Sequence, residues 1–122
     1  MTTSWSATAQ GETVPCPGAD APLTEAGRAA AEQAVVCLVD RERASRGLPR
    51  LAVEPRVTQA ARAHAQDMAS RGYFSHDAPA PAPTTDVDRL RAAGYEASFR
   101  GETIGQGWTT PRRVVNAWLP SR

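Results

Sequence analysis

Arg71-Gly72-Tyr73-Phe74-Ser75-His76 is followed, after a Pro-rich gap, by Gly101-Glu102-Thr103-Ile104-Gly105-Gln106-Gly107-Trp108. The first stretch closes a helix and delivers a His next to aromatic residues. The second sets a Glu between Gly and Thr, on a segment whose glycines permit close backbone approach. On separate loops, His76 and Glu102 can converge on one site, as metal ligands or as a base and its orienter. Each also has an ordinary alternative, a single structural hydrogen bond, and spacing alone does not separate the two.

The pattern outward from these stretches is helical. A first helix is expected from near Thr24, as N-cap, to about Arg46, with Ala34, Cys37 and Leu38 on one face and Gly47 and Pro49 as the stop. A second is expected from Glu54 or Pro55 to near Gly72, with Val57, Ala60, Ala61, His64, Ala65, Met68 and Ala69 as its apolar stripe. His64 on that stripe reads as a packed, structural histidine. Pro79, Pro81 and Pro83 force an extended path. Thr85 and Asp88 then resemble a capping box that opens a short third helix, closed by Gly94. Thr110-Pro111 starts a fourth, with Val114, Val115, Trp118 and Leu119 on its apolar face. Leu51-Ala52-Val53 reads as a very short strand or a packed connector, and Tyr95–Trp108 is strand-like at its centre.

The 122 residues suffice for one domain with a modest core. The formal net charge is +1, and all 14 basic residues are Arg. That balance provides no footprint for nucleic acid. No apolar run is long enough to span a membrane. The first 22 residues are polar and Pro/Gly-rich, and read as an extended arm preceding a domain over residues 23–122. No intact signal peptide is present, although Ala7-Thr8-Ala9 has the small-x-small form of a cleavage site. Cys16 and Cys37 would pair in an exported domain and stay reduced in the cytosol. The residues leave both states open.

Several segments, in order, resemble one family. They are Leu38-Val39-Asp40-Arg41-Glu42-Arg43 with Gly47-Leu48 and Leu51, Ala60 to Met68, Phe74-Ser75-His76, and Asp88-Arg89-Leu90 with Ala93-Gly94-Tyr95. Gly101-Glu102-Thr103-Ile104 and Val114-Val115 with Trp118 complete the set. Together they resemble the bacterial branch of the CAP superfamily, which holds the cysteine-rich secretory, antigen 5 and pathogenesis-related proteins. The resemblance covers roughly residues 36–121.

It implies an α+β fold, an α–β–α sandwich, in an extracellular or cell-envelope setting. It implies a cleft lined by His and Glu that holds a divalent cation, zinc or calcium. His76 matches the first cleft His and Glu102 the Glu of the family's Gly-Glu-Asn motif, whereas His64 matches no cleft ligand. Asp40, Arg43 and Trp118 fall at structural positions. Cys16 and Cys37 resemble a disulfide pair of some bacterial members. Asp40 and Thr103 stand where the family usually has Asn. No residue matches the second cleft His, and the last core strands of the sandwich find no counterpart. The expected site is therefore an incomplete, weak cation cleft, since zinc sites use three or four protein ligands.

Three functions follow as expectations. The first is a ligand-binding or envelope-interaction module whose partner is a lipid, an envelope component or a protein. The second is a metal-dependent hydrolase using His76 and Glu102. The third is a truncated relative with a structural role.

Overall fold

The computed structural model describes residues 15–25, 27–98 and 100–120. Among them run four helices: α1 (Arg28–Ser45), α2 (Pro55–Arg71), α3 (Asp86–Ala92) and α4 (Pro111–Trp118). The chain divides into two compact units, with boundaries after Leu51 and before Gly107. One holds α1 and α4, the other α2 and α3.

In the first unit, Cys16, Ala19, Leu38 and Val115 form a buried cluster, with Val35, Cys37, Val39, Trp118 and Leu119 packed against it. Cys16 and Cys37 form a disulfide with their Cα atoms 5.7 Å apart. The segment before α1 is also tied to α4. Ala19 O accepts from Arg112 N at 2.9 Å, and the Arg112 guanidinium donates to both Asp20 oxygens at 2.8 and 3.1 Å. Arg112 holds the Asp20 carboxyl below the usual carboxylate range through those hydrogen bonds. Of the expected arm, residues 1–14 lie outside the described residues, together with Ala7-Thr8-Ala9. Residues 15–22 are tethered rather than free, because Cys16 and Ala19 are buried.

α1 begins later than expected. Thr24 Oγ1 accepts from Gly27 N at 3.1 Å, but Gly27, not Thr24, is the N-cap. At the other end Gly47 takes φ 72°, and Leu48 N donates to Arg43 O at 2.9 Å. Arg43 Nε then donates to Pro49 O at 2.8 Å. Asp40 accepts from Leu51 N at 3.3 Å and faces Arg50 Nε at 3.6 Å. The acid at position 40 therefore receives a backbone donor as an amide oxygen would, and adds an ion pair.

The caps of the other helices follow the local chemistry. Glu54 accepts from Arg56 N ahead of Pro55. Thr85 and Asp88 complete a reciprocal capping box. Thr110 accepts from Arg113 N ahead of Pro111.

Two expectations are corrected. Neither Leu51–Val53 nor Tyr95–Trp108 forms a strand among the described residues. A strand exists only through a ladder with a neighbour; here Leu51 N donates to the Asp40 carboxylate and Tyr95 N to Leu90 O. The helix-rich part of the expected α–β–α sandwich is thus present, while its sheet layer is not seen among the described residues. The α2 stripe is also narrower than its periodicity suggests. Ala60 and His64 are buried, whereas Ala61, Ala65 and Ala69 are exposed.

The disulfide closes a loop across a sequence separation of 21 residues. Replacing both Cys16 and Cys37 with Ser should cost about 3 kcal/mol of stability in urea unfolding. An unchanged midpoint would contradict this.

Candidate functional site

The site is built at the end of α2. Gly72 takes the left-handed conformation at φ 69°, and Gly72 N and Tyr73 N both donate to Met68 O. This turn brings Tyr73 back beside the helix. Its hydroxyl donates to Asp67 Oδ2, and Arg71 donates to both Asp67 oxygens at 2.8 Å. Three donors converge on one carboxylate. They hold Asp67 down from the ordinary 3.8 to about 2, Arg71 contributing most and Tyr73 next. Burial, followed by the bond to Asp67, pushes the Tyr73 phenol up.

Arg71 also organises the Pro-rich loop. Alternating prolines remove backbone donors from that segment but leave its carbonyls. Arg71 Nη1 donates to Ala80 O at 3.1 Å and Nη2 to Pro79 O at 2.5 Å. Ala78 N donates to Thr84 O at 2.8 Å and closes the loop at its base.

His64 is 3% exposed. Its Nε2 lies 2.8 Å from Ser75 O. A carbonyl only accepts, so Nε2 carries the proton and Nδ1 faces the Tyr73 hydroxyl at 3.5 Å. This bond fixes the backbone one residue before His76.

His76 and Glu102, 26 residues apart, meet with Nδ1 and Oε1 at 2.7 Å. The second Glu102 oxygen accepts from Arg89 Nη2, also at 2.7 Å. Arg89 projects from α3, its side chain 5% exposed, and its Nη1 donates to Thr84 O at 3.3 Å. The result is a chain from His76 through Glu102 to Arg89, open at the imidazole end, where the His76 side chain is 58% exposed. Because a carboxylate accepts at Nδ1, the neutral ring presents an unprotonated Nε2.

The family resemblance pointed to His76 and Glu102 as neighbours, and the structure places them in contact. The glycine argument does not explain that contact, since a Cβ at Gly101 would meet nothing within 4 Å. Arg89, Asp67, Arg71 and Tyr73 were not foreseen as members of the site. The i,i+4 spacing of Asp67 and Arg71 was a usable signal. Nothing local distinguishes Arg89 from the other thirteen arginines.

A cavity of about 220 Å³ lies in the same unit, lined mostly by alanines and Pro83, with Gln59, His64, Asp67 and Arg89 as its polar members. His76 and Glu102 do not line it; Arg89 touches both features.

A divalent cation does not fit the site as arranged. Both Glu102 oxygens already accept, one of them from a buried guanidinium. Among the described residues no group of three His, Cys, Asp or Glu side chains stands close enough to hold a metal ion.

The model of the CAP, or cysteine-rich secretory protein, family matches residues 36–122. The chain belongs to the CAP family. It is 36% identical over 90 residues to the uncharacterized protein YkwD of Bacillus subtilis (strain 168), a match covering 74% of this chain and 34% of that protein. The chain thus spans about a third of the length of this CAP relative. No solved structure matches the chain. No helix among the described residues is long and apolar enough to cross a membrane.

The lowered Asp67 pKa has a direct consequence for this CAP chain. A depressed carboxyl stabilises the fold above its unfolded value of 3.8, and that contribution disappears as pH falls through about 2. Urea midpoints should therefore fall across this acid window in the wild type. Asp67→Asn should be less stable at neutral pH and show a flatter acid dependence. Equal slopes in the two proteins would count against the Asp67 network.

Proposed function

We propose that this chain is an exported CAP-type binding module, directed at a lipid or another cell-envelope component, with a vestigial cation cleft at His76 and Glu102. The observation that carries this reading is the commitment of both Glu102 oxygens, to His76 and to Arg89. A carboxylate so engaged orients its neighbours, and the Arg89 charge beside it disfavours both a proton and a metal ion there. The Cys16–Cys37 disulfide fits an oxidising compartment. The alanine-lined cavity supports an apolar ligand group, because methyl walls offer dispersion contacts and few hydrogen bonds.

A hydrolase is the second reading. It is favoured by the contact of the exposed His76 ring with Glu102, the geometry of a base and its orienter. The engagement of Glu102 with Arg89 weighs against the metal-dependent form of that chemistry.

Co-sedimentation with anionic liposomes and with purified bacterial envelope tests the proposal. The wild type should be retained. Ala63→Phe should lower liposome retention several-fold while leaving the thermal midpoint nearly unchanged, because Ala63 lines the cavity yet is exposed. No retention of a folded sample would overturn the reading. Ester or amide hydrolysis that is lost in His76→Ala would replace it with the hydrolase.

A further inference from the structure

We propose that Arg89 is the built-in cation of the Glu102 site, supplying through its guanidinium the counter-charge for which a divalent ion would otherwise be needed. This deepens the vestigial-cleft part of the proposed function. Arg89 also borders the cavity, but the liposome assay varies Ala63 and the zinc assay varies Arg89 and Glu102, so the failure of one proposal is read separately from that of the other.

Burial and geometry carry the proposal. The Arg89 side chain is 5% exposed and that of Glu102 21%. Two such groups are mutually obligatory, since removing either leaves a charge away from water without a partner. The guanidinium is also fixed independently of Glu102. Its Nη1 reaches Thr84 O, and its backbone N donates to Thr85 O within the first turn of α3. Thr85 is in turn locked by the capping box with Asp88. The cation is therefore positioned by a helix start, and Glu102 comes to it from a loop.

A metal ion binding here would have to lie roughly 2.0–2.6 Å from a Glu102 oxygen. At Oε1 it would displace His76 and stand beside a held positive charge. At Oε2 it would displace Arg89 and strand that charge in the interior. Charge repulsion opposes the ion at either oxygen while Arg89 is present. Without Arg89, the Glu102 carboxylate and the His76 ring, 2.7 Å apart, face no guanidinium, and a metal taking Nδ1 would displace its proton, the ring keeping its N–H at Nε2. That pair is a weak two-ligand site, completed by water.

The test compares thermal midpoints of the full chain, without an affinity tag, in chelator and in excess zinc chloride. The wild type should show the same midpoint in both. Arg89→Met should be destabilised in chelator and recover by about 5 °C in zinc. Arg89→Met with Glu102→Gln should regain stability in chelator and lose the zinc response. A wild-type zinc shift that Glu102→Gln abolishes would overturn the proposal, as would a folded Arg89→Met protein indifferent to zinc. If Arg89→Met does not fold in chelator, refolding by zinc supports the proposal and failure to refold at any zinc concentration overturns it.

Discussion

A guanidinium taken out of water must keep a carboxylate beside it, and the arrangement of the α2–α3 unit follows from that requirement at Arg89. Its partner, Glu102, lies 13 residues further along a segment with no regular secondary structure. The ion pair sets where that segment lies, and Glu102 then sets the ring of His76. The exposed imidazole is thus positioned from the inside outward, by a buried charge pair and a helix cap.

Different physics orders the interior of each unit. Around α1 and α4 the buried residues are apolar, and a disulfide joins the preceding segment to α1. In the α2–α3 unit the buried apolar side chains among the described residues are only Ala60 and Ala78. Alanine methyls bury little area and contribute correspondingly little transfer free energy. Directional contacts supply the order instead: Asp67 with Arg71 and Tyr73, His64 with Ser75 O, and Arg89 with Glu102. Such a unit keeps a defined local geometry while remaining sensitive to loss of a single charged group. The Pro-rich loop shows the same economy, since Arg71 alone supplies donors to two of its carbonyls.

The helices were legible because their signals are local. Pro55, Gly72, Thr85, Asp88 and Thr110-Pro111 act within one turn, and each sits where its chemistry indicates. The start of α1 was misplaced because Thr24 does accept a backbone bond, but in a turn one step before the helix. The strand-like composition at Leu51–Val53 and within Tyr95–Trp108 misled, because strand character depends on a neighbour that local composition cannot reveal. Family resemblance supplied the meeting of His76 and Glu102 and favoured the pairing of Cys16 with Cys37; spacing left both undecided. Arg89 stayed hidden because its role comes from burial, and the residue type is ordinarily exposed.

Nitrogen-resolved NMR of the arginine side chains tests the central claim most directly, because it observes the Arg89 guanidinium itself. A guanidinium buried and bound to Glu102 should give separate, slowly exchanging Nη proton signals at neutral pH, unmoved by added zinc and lost in Glu102→Gln. A freely rotating, averaged Arg89 signal in the wild type, or one that shifts as zinc is added, would contradict the account.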